Sequence, residues 1–324
     1  MKAIKIIGVI LGVICILVLG AGIYVKTALP NPGPPPELTI ERTPQRVERG
    51  RYLANHVTVC MDCHSSRNWK YYSGPMAPGN QGGGGEKFSR EMGFPGIFYA
   101  PNITPYRLKR WSDGEVFRAV TGGVNKDGKA LFPLMASHRF GKMDREDVYS
   151  IIAYIRTLDP IKNDIPEREL DFPVNFIVNT MPQPPAFSKM PAESDKVRYG
   201  GYLINAAGCV DCHSQVENGS VIKGTEFGGG MEFKQPAGTV RTANISPDRE
   251  TGIGKWSEAM FLSRFDTYSP DKFVKREVTP DELNTPMPWT MYAGMKKADL
   301  QAIYAYLQSV KPISNRVVRT AKTQ

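Results

Sequence analysis

The pentapeptide Cys60-Met61-Asp62-Cys63-His64 recurs along the chain as Cys209-Val210-Asp211-Cys212-His213. The flanking sequence recurs in the same order. Residues 47–53 align with 197–203, and residues 143–161 align with 295–313 at a constant offset of 152 residues. Asn102-Ile103-Thr104-Pro105, upstream of Trp111, likewise matches Asn244-Ile245-Ser246-Pro247, upstream of Trp256. An internal duplication of one small domain accounts for the 324 residues better than a single domain does.

The duplication predicts the organisation of the whole chain. The prolines between residues 30 and 36 exclude a helix there and indicate an extended, semi-rigid spacer. The predicted segments are a transmembrane anchor at residues 1–26, a proline-rich linker at 27–42, a first domain at 43–161, a proline-rich connector at 162–191, a second domain at 192–315 and a C-terminal tail at 316–324.

Each copy is predicted to be mostly α-helical. Apolar residues recur at steps of three and four near the end of both copies, which is the pattern of an amphipathic helix with one buried face. The glycine runs at residues 82–85 and 228–230 are predicted to be loops. The apolar positions are Val148, Ile151, Ile152, Ile155 and Leu158 in the first copy and Leu300, Ile303, Tyr304, Leu307 and Val310 in the second.

The N-terminal segment is long and apolar enough to cross a membrane. Residues 6–25 form an uninterrupted apolar run, and a helix of that length spans a hydrocarbon core of roughly 30 Å. Lys2 and Lys5 precede the run, so the positive-inside rule places the remainder of the chain on the extracytoplasmic, periplasmic side. A cleaved signal peptide is the alternative, but the run exceeds the usual apolar core and no small-residue cleavage site follows it.

Composition and charge limit the class of protein but do not identify it. Hydrophobic residues make up 41% of the chain and charged residues 23%, which argues against disorder and against a polytopic membrane protein. The net charge of +9 favours acidic partners without specifying one. The glycines before Lys87 do not form a phosphate loop, because Phe88 stands where that motif needs Ser or Thr. Neither a nucleotide nor a nucleic acid is therefore expected as a partner.

The pattern C-x-x-C-H is the attachment signature of c-type haem. Two thiols three residues apart can form thioethers with the two vinyl groups at one haem edge, and the next histidine is then held beneath the iron as a ligand. The sequence thus predicts two covalently bound haems. The predicted attachment residues are Cys60, Cys63 and His64 for the first haem and Cys209, Cys212 and His213 for the second.

Other uses of two cysteine pairs explain the sequence less completely. A four-thiolate zinc site would bridge the two copies and leave both histidines without a role. A thioredoxin-like dithiol would open a helix in a βαβ unit, and no such unit is visible around either pair. A disulfide within each pair would not require a histidine twice. The haem interpretation is therefore preferred.

Methionines are the candidates for the second axial ligand of each iron. Met135 and Met287 correspond at the offset of 152 residues that relates 143–161 to 295–313. Both lie in proline-bearing loops upstream of the last helix of their copy. Met291 has no methionine counterpart, and Met143 and Met295 correspond but are expected to pack at a helix start. His138 would allow a bis-histidine first site. Met135 and Met287 are predicted as ligands that raise the potential of the iron.

With these motifs the chain resembles the class I cytochrome c family. More narrowly, it resembles membrane-associated cytochrome c subunits of bacterial alcohol and gluconate dehydrogenases. The resemblance implies two tandem class I cytochrome c domains behind one N-terminal transmembrane helix, with Met287 and Met135 as the distal ligands. Pro288 follows Met287 as in the family pattern, whereas Ala136 follows Met135. Those subunits carry three haem motifs, and this chain carries two.

The expected function is electron transfer rather than catalysis. A membrane-anchored dihaem cytochrome c would relay single electrons between a dehydrogenase or quinol-oxidising complex and a terminal acceptor, such as an oxidase or a soluble cytochrome. The alternative is a dihaem enzyme of the cytochrome c peroxidase type, which would need one iron with an open or displaceable ligand. The equivalence of Met135 and Met287 favours the carrier.

Overall fold

Helices are the dominant regular structure. The structure is a computed structural model that describes residues 2–322, and about 39% of the chain is helical. A π-helical turn at Leu53–Val57 and 3-10 turns at Arg90–Met92 and Val178–Thr180 complete the helical segments. The α-helices are α1 (Lys2–Thr27), α2 (Pro44–Tyr52), α3 (Cys60–Cys63), α4 (Pro105–Leu108), α5 (Asp113–Gly122), α6 (Ser137–Phe140), α7 (Arg145–Ile155), α8 (Val174–Ile177), α9 (Lys196–Ala207), α10 (Cys209–Cys212), α11 (Glu258–Asp266), α12 (Trp289–Tyr292) and α13 (Lys297–Ser309).

Short strands, which the sequence pattern does not predict, connect some of these helices. All pairings described here are antiparallel, with Lys87 opposite Tyr99, Phe233 opposite Val240, and Val240 opposite Thr320. At two to four residues each, they are too short to show a clear alternation of apolar and polar side chains. The strands are β1 (Lys87–Phe88), β2 (Gly96–Tyr99), β3 (Glu169–Leu170), β4 (Val216–Glu217), β5 (Ser220–Val221), β6 (Glu232–Gln235), β7 (Gly238–Arg241) and β8 (Thr320–Lys322).

The described chain forms two compact units. One contains the N-terminal residues up to 39 together with residues 111–142 and 170–186, and the other contains residues 40–110, 143–169 and the chain from 187 onward. Both C-x-x-C-H segments lie in the second unit. The predicted division into tandem domains at 43–161 and 192–315 follows the sequence repeat and remains a prediction.

The first unit contains the apolar helix α1. This helix has 26 residues, none of them buried, and its most apolar 18-residue window has a mean hydropathy of 3.0. By length and composition it can span a membrane or serve as a signal sequence. Near its end, the Val25 carbonyl accepts a 3.3 Å hydrogen bond from Asn179 Nδ2. The proline-rich segment that follows α1 is irregular, and a Cβ at Gly114 would stand 1.8 Å from the Pro36 oxygen, so this segment packs closely against α5.

The second unit is built on two helix pairs, α2 with α7 and α9 with α13. Each pair approaches most closely at a glycine: an added Cβ at Gly50 would stand 1.7 Å from the Ser150 oxygen, and one at Gly200 would stand 1.9 Å from the Ala302 oxygen. Most of the predicted apolar positions of α7 and α13 lie in the core of the pairs. Tyr304 is only half-buried, and Leu158 and Val310 lie beyond the helix ends. The buried apolar positions are Val148, Ile151, Ile152, Ile155, Leu300, Ile303 and Leu307.

A reciprocal hydrogen-bond network joins these helix pairs within the second unit. Tyr52 on α2 donates to Asp299 on α13 over 2.5 Å, and Tyr202 on α9 donates to Asp147 on α7 over 2.6 Å. Arg49 also donates to Asp147 through Nε at 2.8 Å and through Nη2 at 2.9 Å. Because Asp147 and Asp299 are both buried, these donors are needed to offset the loss of water around the carboxylates.

Candidate cofactor-attachment sites

Each C-x-x-C segment folds as a single helical turn. The turn α3 follows Val59, and α10 follows Gly208, and both preceding residues have positive φ angles, 46° and 73°. The amide of His64 closes the first turn on the Cys60 oxygen at 2.9 Å, and His213 closes the second in the same way on Cys209. Residues three apart on a helical turn share one face, so each turn presents two thiols together with the histidine at its end.

The two histidine rings are held in the same way. Nδ1 of His64 lies 2.8 Å from the Pro101 oxygen, and Nδ1 of His213 lies 2.8 Å from the Ala243 oxygen. A carbonyl only accepts hydrogen bonds, so Nδ1 carries the proton and Nε2 keeps the lone pair that binds a metal. Burial lowers the pKa of both imidazoles below the ordinary value, which favours the neutral, metal-binding form.

The predicted glycine loops support the histidine backbone. Gly84 donates to the His64 oxygen and Gly229 to the His213 oxygen, both at 2.9 Å. Their φ angles are positive, and an added Cβ would lie 2.6 Å from the Ala100 oxygen at Gly84 and 2.5 Å from the Ala243 carbonyl carbon at Gly229. Only glycine fits such a position without strain.

A buried asparagine directly follows each residue whose carbonyl orients a histidine, Asn102 after Pro101 and Asn244 after Ala243. Asn102 Nδ2 donates to the Ile161 oxygen at 2.8 Å, and Asn244 Nδ2 donates to the Ile313 oxygen at 2.7 Å. Their Oδ1 atoms accept from the amides of Thr104 and Ser246, both at 2.9 Å. Each asparagine therefore connects the segment next to the histidine acceptor with the chain beyond the last helix of the copy.

The thiols of the first turn lie in a buried environment. Burial raises the pKa of Cys60 and raises that of Cys63 to about 12, so both remain protonated. Within residues 2–322 no disulfide joins cysteines, and no group of three or more His, Cys, Asp or Glu side chains is arranged to hold a metal ion. A zinc site of four thiolates thus has no support in this geometry. Two thiols on one turn followed by an oriented, neutral histidine fit a c-type haem.

The methionines predicted as ligands are half-buried residues in loops. Met287 lies two residues before α12, in the second unit with both cysteine turns. Met135 lies two residues before α6, in the first unit. The local backbone is alike at both, because Ser137 donates to the Met135 oxygen at 2.7 Å and Trp289 donates to the Met287 oxygen at 2.8 Å. Their assignment as ligands remains a prediction.

The other methionines and histidines considered as ligands differ from these two in burial or position. Met143, Met291 and Met295 are buried, with only 0–7% of their surface exposed, as expected for packing residues. His138 is exposed on α6. His56 lies in the π-helical turn, with Nδ1 2.9 Å from the Met291 oxygen.

One feature of the first site is not evident from the motif. Asp62, between the two cysteines, forms an ion pair with Arg67 at 3.0 Å, and both side chains are only 8% exposed. Burial raises the pKa of Asp62 to about 6 although Arg67 opposes the shift. An aspartate also stands between the cysteines of the second site, but the residue at the position of Arg67 is Val216. The sequence signals for this difference are the exchange of Arg67 for Val216 and the unequal spacing of the two copies after the histidine.

No protein-family model matches the chain. Curated proteins do match it. The chain is 26% identical over 284 residues to the cytochrome c subunit of a quinone-dependent alcohol dehydrogenase from Gluconacetobacter polyoxogenes, covering 82% of this chain and 56% of that subunit. It is 36% identical over 121 residues to the cytochrome c subunit of gluconate 2-dehydrogenase from Pantoea cypripedii, covering 36% of this chain and 24% of that subunit.

A third relative is the diheme cytochrome c-type protein of Cereibacter sphaeroides, 25% identical over 131 residues and covering 40% of each chain. The chain thus spans about half the length of the alcohol dehydrogenase subunit that it matches. The predicted resemblance to cytochrome c subunits of bacterial dehydrogenases is confirmed, at low identity but over much of the chain.

Proposed function

Given its resemblance to cytochrome c subunits, we propose that this chain is a dihaem electron-transfer protein associated with a dehydrogenase. The observation that carries the proposal is the matched pair of cysteine turns, each ending in a histidine whose Nδ1 lies 2.8 Å from a backbone oxygen. The proposed segments 43–161 and 192–315 would each hold one haem in a class I cytochrome c arrangement. Equivalent asparagine and glycine contacts at both turns support the two copies.

The protein's side chains would bind the haems at defined atoms. Thioethers would form at Cys60 and Cys63 for one haem and at Cys209 and Cys212 for the other, while His64 and His213 would present Nε2 to iron. When bound, each haem supplies an iron that accepts and releases one electron. The hydrogen bonds at Nδ1 hold the imidazole planes in place, so the ligand geometry changes little between oxidation states.

Met135 and Met287 are the proposed ligands on the opposite faces. A thioether stabilises the reduced iron relative to a harder ligand and raises its reduction potential. If Met135 and Met287 bind as proposed, neither site would offer an open coordination position to a substrate. We therefore assign electron transfer and no catalytic activity to this chain itself.

The anchor and the partners follow from α1 and from the relatives. We propose that α1 crosses the cytoplasmic membrane and that the haem-binding segments lie on its periplasmic side, as Lys2 and Lys5 favour. Electrons would enter from a dehydrogenase or a quinol-oxidising complex and leave to an oxidase or a soluble cytochrome. Two of the relatives named above are subunits of alcohol and gluconate dehydrogenases, which favours a dehydrogenase as donor.

Spectroscopy of the oxidised protein in mild detergent tests the carrier function. We expect two low-spin haems, each with a methionine-to-iron charge-transfer band, because each iron would have six ligands if Met135 and Met287 bind as proposed. Electron paramagnetic resonance and far-red absorption measure the spin state and the band. A high-spin signal from one haem, together with turnover of hydrogen peroxide, would instead identify a dihaem enzyme of the peroxidase type.

A further inference from the structure

Ser73, in the loop after the first cysteine turn, holds the backbone around Met287. Its Oγ donates a 2.7 Å hydrogen bond to the Met287 oxygen and accepts a 3.2 Å bond from the Trp289 amide. Both bonds go to backbone atoms and leave the Met287 thioether outside the network. The hydroxyl therefore restrains the chain on both sides of Pro288.

Ser73 is itself held rigidly. It is fully buried and has a φ of 66°, a conformation that a serine keeps only when its surroundings enforce it. Arg67 supplies that enforcement, because its guanidinium donates to the Ser73 oxygen at 2.7 Å and to the Gly74 oxygen at 2.9 Å. The same guanidinium forms the buried ion pair with Asp62 and lies 4.0 Å from the centre of the Trp69 ring.

Asn284 provides a second connection between the same two loops. Its Oδ1 accepts from the Ser73 amide at 2.8 Å, and its Nδ2 donates to the Tyr71 oxygen at 3.0 Å. Gln235 fixes the backbone of Asn284 through two bonds of 2.7 and 2.8 Å. The loop that carries Met287 is thus hydrogen-bonded at two points, three residues apart.

These contacts form a continuous path from the first cysteine turn to the loop of the second predicted ligand. The path runs from Asp62 through Arg67 and Ser73 to Met287. Val216, at the position of Arg67 in the second copy, has no charge or donor with which to form an equivalent path.

We propose that Ser73 is a positioning residue that keeps Met287 on the iron of the second haem; this rests on the proposed function. A weakly bound thioether remains a ligand when its backbone cannot move away, and an added ligand must displace it. Removing the hydroxyl takes away two neutral hydrogen bonds to the backbone around Met287. The thioether is then displaced more easily.

The test is an imidazole titration of the oxidised, detergent-solubilised holoprotein. All variants carry Met135→Ala, so that the remaining charge-transfer band reports the second haem. Ser73→Ala is expected to lower the imidazole concentration that half-abolishes this band by about tenfold. Ser150→Ala is the matched control, because it removes a buried serine bond of 2.7 Å, to the Glu146 oxygen, away from both loops, and it should titrate like the parent.

A second variant covers the case in which Ser73→Ala does not fold. Asn284→Ala removes the other connection and is expected to shift the titration in the same direction. Parental titration of a folded Ser73→Ala would overturn the proposal, as would parental titration of Asn284→Ala where Ser73→Ala does not fold. An equal shift in Ser150→Ala would also overturn it.

Met287→Ala in the same background separates this proposal from the ligand assignment. If Met287→Ala leaves the band unchanged, the assignment of Met287 in the proposed function is wrong. If Met287→Ala abolishes the band while Ser73→Ala titrates like the parent, only the role of Ser73 is wrong.

Discussion

Replacing Met287 with alanine is expected to convert one of the two haems from low spin to high spin and to leave the other unchanged. The substitution removes the proposed thioether ligand, and an alanine methyl group cannot coordinate iron. The reduction potential of that haem should fall by on the order of 0.1–0.3 V, within the ~0.8 V range that axial ligands span. Electron paramagnetic resonance of the oxidised protein and a redox titration measure the two effects.

Met291→Ala is the matched control for this substitution. Met291 is four residues away and buried, and it has no methionine counterpart in the first copy. Its replacement should reduce stability by about 2–5 kcal/mol as a core truncation, without changing the spin state. Two low-spin haems in Met287→Ala, or a high-spin haem in Met291→Ala, would show that the ligand has been misassigned.

The second large effect is expected from Gly200→Ala. The added methyl group would stand 1.9 Å from the backbone oxygen of Ala302, and a backbone atom cannot move aside without separating α9 from α13. We expect the free energy of unfolding to fall by about 3 kcal/mol or more, even though alanine favours the helix by about 1 kcal/mol. Thermal and denaturant unfolding followed by circular dichroism measure the loss.

The neighbouring substitution Gly201→Ala separates the close helix contact from a general effect of changing a helical glycine. Its added methyl group would meet the ring edge of Tyr306 at 2.8 Å, and this half-buried side chain can move. Stability should therefore change by only about 1 kcal/mol. Equal stabilities of the two variants would contradict the packing described for α9 and α13.

Local chemistry made much of the second unit predictable. The cysteine spacing predicts side chains on one face of a turn, and α3 and α10 have that geometry. The apolar periodicity predicts the last helix of each copy, seen as α7 and α13, since a helix buries residues at steps of three and four. The glycine runs were predicted as loops because positive φ angles are compatible with glycine.

Contacts between residues that are distant in sequence could not be predicted from the sequence pattern. The bond from Tyr52 to Asp299 joins residues 247 positions apart, and nothing near either residue indicates it. Ser73 has a left-handed backbone that serine does not favour, so its role depends on Arg67 and on Asn284 after folding. The reciprocal hydrogen-bond network between the helix pairs and the restraint of the Met287 backbone thus arise from tertiary packing rather than from a local sequence pattern.

The number of haems covalently bound per chain tests the central claim most directly. Protein produced in cells with functioning cytochrome c maturation should carry two, measured by the pyridine haemochrome absorbance and by the intact mass under denaturing conditions. Replacing Cys209 and Cys212 with serine should leave one. A colourless parent protein, or a parent whose denatured mass equals that of the polypeptide alone, would contradict the account.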